Sequence, residues 1–132
     1  MLIFNEKLQL IKLILSDLVH SMPQVFDSGP LWGFGASTKG NMLLQLIGAN
    51  NEHIECILDN NAKKIGTMTT GSLIPIVSET DNINRLPQNI IILPYYYAHL
   101  FTKTIRRALT PGNKCNLIIP LPYPKLVTIQ GR

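Results

Sequence analysis

Apolar residues recur at spacings of three and four in two parts of the chain, a pattern that is typical of amphipathic helices. The first pattern predicts a helix over residues 5–21 that stops before Pro23, because the residue before a proline disfavours helical backbone. The second predicts a helix that begins after Thr38 and ends near Gly48, a residue suited to the backbone conformation of helix ends. A further helix is predicted over residues 98–109.

Short apolar segments alternate with these helices and predict five strands. They cover residues 31–34, 54–58, 73–77, 89–93 and 116–120. Pro75 places the third strand near a sheet edge, since proline cannot donate to a strand ladder. The alternation of strands and helices favours an α/β fold: a small Rossmann-like parallel sheet with helices on both faces, preceded by the N-terminal helix.

The length of 132 residues favours a single domain, with the N-terminal helix at about 5–21 and the Rossmann-like core at about 30–127. The composition, 45% hydrophobic and 15% charged, argues against disorder. The proline-rich residues 120–124 predict an extended tail after the last strand.

Charge and cysteine content narrow the functional classes. The net charge of +4 comes from scattered basic residues, which indicates a soluble surface with some attraction for small anions and no nucleic-acid partner. No apolar stretch reaches the roughly 18 residues that span a bilayer, so we expect no membrane association. Cys56 and Cys115 lie in apolar segments, and we expect reduced, buried thiols in a cytoplasmic protein.

The segment between the first predicted strand and the helix after it carries the strongest chemical signal. Glycines there allow the backbone to approach a phosphate closely, and the first amides of the helix would point at the anion. The predicted phosphate-binding residues are Gly33, Gly35, Ala36, Ser37, Thr38, Lys39, Gly40 and Asn41.

This pattern departs from the dinucleotide fingerprint, because its third glycine stands at Gly40 and Thr38 occupies the usual position. Asp59 strengthens the binding interpretation, since it ends the second predicted strand, where an acidic side chain binds ribose hydroxyls in dinucleotide folds. A second interpretation stays open: a purely structural turn capped by Ser37 or Thr38.

Aromatic and histidine residues follow the strand at 89–93. Tyr95, Tyr96 and His99 are predicted near the carboxyl ends of the strands, where ligands bind in open α/β sheets, as contacts for a sugar or base. Capping of the core or contact with a partner is the alternative role for the tyrosines. His20, His53 and His99 show no convergent spacing, so no metal site is predicted, and the catalytic residues, if any, are unknown.

Four blocks in order resemble the C-terminal domain of S-adenosylmethionine-dependent sugar C-methyltransferases. They lie at residues 33–45, 59–66, 70–76 and 118–122. This family acts on nucleotide-linked hexoses in deoxysugar biosynthesis, and the resemblance implies a Rossmann-like module that helps to hold the nucleotide-sugar. The zinc-binding and methyl-donor modules of full-length members have no counterpart in these residues.

The resemblance implies a nucleotide-sugar-binding component of a methyltransferase that is inactive alone. We expect this chain to bind no cofactor itself, S-adenosylmethionine being held by a partner chain, and we expect a methyltransferase subunit or a second copy as partner. Two alternatives remain: a small NAD(P)- or S-adenosylmethionine-binding enzyme, and a non-catalytic interaction subunit.

Overall fold

A six-stranded sheet with helices on both faces forms the body of the protein. The computed structural model describes residues 4–25 and 29–132. The strands are β1 (Leu31–Phe34), β2 (Ile57–Asp59), β3 (Ile76–Ser78), β4 (Asn89–Ile92), β5 (Lys114–Ile119) and β6 (Lys125–Gln130). The helices are α1 (Phe4–Val25), α2 (Thr38–Leu46), α3 (Glu79–Asn82) and α4 (Ala98–Ala108), with short 3-10 helices at Ile83–Arg85 and Tyr95–Tyr97.

The strand order is β3-β2-β1-β4-β5-β6, and the first five strands are parallel. This confirms the predicted α/β class and the edge position of the strand that follows Pro75. The prediction of an extended tail is wrong, because residues 125–130 form β6, antiparallel to β5 with Ile119 opposite Lys125. Only Ile129 of β6 is buried, so the strand lacks the alternating apolar pattern that would have predicted it.

Alternate residues of the central strands serve the two faces of the sheet. Leu31 of β1 packs in one cluster with α1 and α2, whereas Trp32 and Phe34 pack in the other with Ile105 of α4. Strand side chains point alternately to opposite faces, so a strand that is buried throughout must be covered on both. Burial on both faces explains why β1 and β4 are almost entirely apolar.

Helix α1 is longer than predicted. It continues through Pro23 to Val25, so the expected stop before the proline is wrong. A proline has no amide hydrogen, so it cannot donate a helix hydrogen bond, and it crowds the preceding turn. Pro23 lies in the last turn of α1, with only two helical residues after it. No helix of the described residues is long and apolar enough to cross a membrane.

Candidate functional site

The strand order creates a crevice between β1 and β4. From β1 the chain passes to β2 and β3 on one side, and β4 and β5 lie on the other, so the connections diverge at the carboxyl ends of these two strands. Ligands of open α/β sheets bind at such a point. A cleft of about 290 Å³, here called the carboxylate cleft, opens there. Its lining comprises Gly35, Ala36, Ser37, Asp59, Asn60, Lys64, Glu79, Pro94 and Phe101.

Two glycines let α2 and its turn lie close to β4. Gly35 has a φ of +85°, and a Cβ there would lie 2.7 Å from Cδ of Pro94. At Gly40 a Cβ would lie 2.5 Å from Cβ of Leu93. Close helix–strand packing is the role of the third glycine in dinucleotide-binding turns, so Gly40 fills that role from a shifted position.

Most amides of the β1–α2 turn are bound by the protein itself. The Gly35 amide donates to the Leu58 carbonyl at 2.7 Å, and the Ala36 amide donates to Oδ2 of Asp59 at 2.8 Å. The Gly40 amide donates to Oγ of Ser37 at 3.1 Å, which makes Ser37 the N-cap of α2. These three amides therefore stabilise the turn itself.

The amides of Thr38 and Lys39 are the exception. They open α2, so they have no acceptor within the helix, and none is found elsewhere among the described residues. The partial positive charge of a helix N-terminus favours an anion at such amides. Among the predicted phosphate-binding residues 33–41, the backbone amides that remain available to a phosphate are therefore those of Thr38 and Lys39.

Asp59 connects two turns. Its Oδ2 accepts the Ala36 amide, and its Oδ1 accepts the Asn61 amide at 2.7 Å. Both carboxylate oxygens are therefore engaged by backbone, although each keeps a lone pair that could receive a hydroxyl. Ribose binding by Asp59 stays a prediction, and the structure adds a structural role that sequence reasoning did not assign.

Sequence reasoning missed several residues that line the carboxylate cleft, namely Asn60, Lys64, Glu79 and Phe101, and Lys64 is the cation among them. Its Nζ donates to the carbonyl of Ala36 at 2.7 Å, and the side chain is half-buried. The backbone holds it in place, since the Lys64 amide donates to the Asn61 carbonyl at 2.9 Å. Its position inside the block at 59–66 was the one sequence signal available.

A second cleft, of about 400 Å³, lies beside α2 and is here called the threonine cleft. It shares Ala36, Ser37 and Lys64 with the carboxylate cleft. Its other polar lining residues are Thr38, Asn41, Gln45, Thr67, Thr69 and Thr70.

Asn41 ties α2 to the far wall of the threonine cleft. Its Nδ2 donates to the Thr70 carbonyl at 2.9 Å, and its Oδ1 accepts from the Ser72 hydroxyl at 2.6 Å. Gln45 donates to the same Thr70 carbonyl. Asn41 therefore has a structural role, and its predicted contact with phosphate stays untested.

Lys39 points towards the tyrosines and lines neither of the two clefts. Its Nζ lies 4.5 Å from the centroid of the Tyr96 ring, and the Tyr95 hydroxyl donates to the Tyr96 hydroxyl at 3.0 Å. The hydrogen bond with the Lys39 ammonium lowers the pKa of Tyr96, whereas the bond to Tyr96 raises the pKa of Tyr95 to about 12. His99 is exposed in the first turn of α4 and lines neither cleft.

The remaining candidates lie away from the crevice. Cys56 and Cys115 are buried and free, as expected, and burial raises the pKa of their thiols to about 11 and about 12. The rings of His20 and His53 lie 4.0 Å apart, a convergence that their spacing did not suggest. Within the described part of the chain, no group of three or more His, Cys, Asp or Glu residues could hold a metal.

Comparison with known proteins agrees with this architecture. Residues 2–122 match the family model of the C-methyltransferase C-terminal domain. The chain belongs to this family. It is also 29% identical over 107 residues to the C-methyltransferase NovU of Streptomyces niveus, in a match that covers 81% of this chain and 25% of NovU. The chain thus spans about a quarter of the length of this relative, and the resemblance carried by the four blocks is confirmed.

Proposed function

We propose that this C-methyltransferase C-terminal domain binds a nucleotide-linked hexose and presents it for methylation. The observation that carries the proposal is the pair of Thr38 and Lys39 amides, which have no acceptor among residues 4–25 and 29–132 and open a helix at the crossover of the sheet. A diphosphate supplies oxyanions that suit such amides. Nucleotide-sugars contain a diphosphate between two hydroxyl-rich groups.

The neighbouring groups suit the rest of such a ligand. The free lone pairs of the Asp59 carboxylate can accept sugar or ribose hydroxyls. Tyr96 is 55% exposed, so its ring can stack on a base while its hydroxyl contacts the Tyr95 hydroxyl. These contacts would orient the ligand from the rim of the sheet.

Methyl transfer needs a donor site, which we assign to a different module or chain. S-adenosylmethionine would be held there, and this domain would contribute the position of the acceptor sugar. A methyltransferase subunit or a second copy of this chain is the partner that the proposal requires for activity.

A thermal-shift panel on the unmodified chain tests the proposal. Thymidine and uridine diphosphate-sugars are expected to raise the Tm in a concentration-dependent way, because a ligand that binds only the folded state stabilises it. NAD and S-adenosylmethionine serve as the comparison arms. A larger shift with either of them, or no shift with any nucleotide-sugar at millimolar concentration, would contradict the proposal.

A further inference from the structure

The two clefts on either side of Lys64 differ in charge. We infer that the diphosphate of the ligand lies in the threonine cleft against Lys64, and that the carboxylate cleft receives an uncharged, hydroxyl-bearing part. This inference rests on the proposed function and assigns the groups of the ligand to the two clefts.

The carboxylate cleft is a poor site for a diphosphate. Asp59 and Glu79 line it together with the single ammonium of Lys64, so its charged lining residues sum to −1. A diphosphate placed there would meet like charges, whereas carboxylate oxygens accept hydrogen bonds from sugar hydroxyls.

The threonine cleft has the opposite character. Lys64 is its one charged lining residue. Thr38, whose amide has no acceptor among the described residues, lines it together with Thr70, and both side chains carry a hydroxyl. Hydroxyls, a helix amide and an ammonium are donors to phosphate oxygens, and the larger volume of about 400 Å³ accommodates the group.

The ammonium of Lys64 is positioned before any ligand arrives. One of its three N–H groups donates to the Ala36 carbonyl, which leaves two for a ligand, and no described carboxylate forms an ion pair with it. The ammonium of Lys39, which the sequence favoured, instead lies over the Tyr96 ring outside both clefts. The geometry therefore favours Lys64 over Lys39 as the cation that neutralises the diphosphate.

Calorimetric titration with thymidine diphosphate-glucose distinguishes the contributions of Lys39, Lys63 and Lys64 to the affinity. Lys64→Gln is expected to weaken binding by about tenfold or more, the range for a hydrogen bond to a charged group. Lys63→Gln is the matched control, because Lys63 is the exposed neighbour and lines neither cleft. Lys63→Gln is expected to stay within about threefold of the unmodified chain, as is usual for an exposed charge. Lys39→Gln keeps the Lys39 amide and is expected to lose clearly less affinity than Lys64→Gln.

Lys64→Arg keeps the positive charge, so it tests the contribution of that charge to ligand binding separately from any effect on folding. It is expected to recover part of the affinity, and inorganic pyrophosphate is expected to compete with the ligand in the unmodified chain and only weakly in Lys64→Gln. Unchanged binding by Lys64→Gln, or an equal loss in Lys39→Gln, would overturn the inference and leave the proposed function standing. Absence of binding by the unmodified chain would instead overturn both.

Discussion

The two turns that leave the sheet at the crossover are built in opposite ways. Side chains fix the backbone of the turn between β1 and α2. Ser37 caps α2, and Asp59 and Lys64 form hydrogen bonds with the backbone of Ala36. The segment between β4 and α4 has no side-chain cap at Tyr97, and Tyr96 and Tyr97 are 55% and 58% exposed. The β1–α2 side of the crevice is thus a backbone turn fixed by hydrogen bonds, whereas the β4–α4 side presents accessible aromatic side chains.

Under the proposed function, this difference assigns the two turns to different parts of the ligand. Backbone amides fixed by neighbouring residues cost little to order when a phosphate binds, so they suit the invariant part of a ligand. Exposed side chains change rotamer readily, so the exposed tyrosine rings suit the variable base or sugar. Substitutions in the two turns test this division.

The largest effect is expected when the fixed turn is forced apart. Gly35→Ala would combine a positive φ with a clash against Pro94, and we expect it to lower the free energy of unfolding by about 3 kcal/mol. Gly66→Ala is the matched control, since Gly66 has a φ of +88° with nothing within 4 Å of its added Cβ, and it should cost about 1 kcal/mol. Urea denaturation measures both, and equal losses would show that contact with Pro94 is unimportant.

A smaller effect is expected at the carboxylate that connects the turns. Asp59→Asn places an amide NH₂ against one of two backbone donors, and we expect a loss of about 1–3 kcal/mol. Asp81→Asn, at an exposed position in α3, should change the free energy of unfolding by less than about 0.5 kcal/mol. Should Asp59→Asn prove as stable as the unmodified chain, the turn would not depend on this carboxylate.

The smallest effect concerns the aromatic side of the crevice. The hydrogen bond with the Lys39 ammonium lowers the pKa of Tyr96, so Lys39→Gln should move its ionisation to higher pH. The ionised form of Tyr96 is favoured in the folded state, so this contribution arises only as the pH rises through its pKa and is absent at neutral pH. Ultraviolet titration of the tyrosines checks this, with Lys63→Gln as control. An identical titration in Lys39→Gln and the control would place Lys39 away from Tyr96 in solution.

The buried part of the fold was predictable from sequence because burial leaves a pattern. Residues 31–34 and 90–92 are continuous apolar segments, and they are buried together with Asn89, so both central strands were predicted with nearly the observed bounds. Residues 125–130 alternate little and bury only Ile129, so β6 could not be distinguished from an extended tail.

The geometry of the candidate site was predictable only where it follows from local sequence. Gly35 and Ser37 stabilise the same β1–α2 turn that contains them, and the sequence placed both between the first strand and the second helix. Lys64 acts on the carbonyl of Ala36, 28 positions away in the chain, and a lysine in a polar turn resembles an ordinary solvated side chain. Lys39 was predicted to bind phosphate because it lies at the start of a helix, where a lysine is unfavourable unless an anion is present, and only the fold shows that its ammonium lies against Tyr96.

The most direct test of the central claim removes a single N–H group. Thr38 is the first residue of α2, where proline fits the helix and lacks the amide hydrogen, and Ser37 before it already has the extended backbone that proline requires. Thr38→Ala removes the hydroxyl but keeps the amide. We predict by calorimetry that Thr38→Pro binds thymidine diphosphate-glucose at least about tenfold more weakly than Thr38→Ala, at similar thermal stability. Equal affinities in the two variants would contradict a phosphate site at the start of α2.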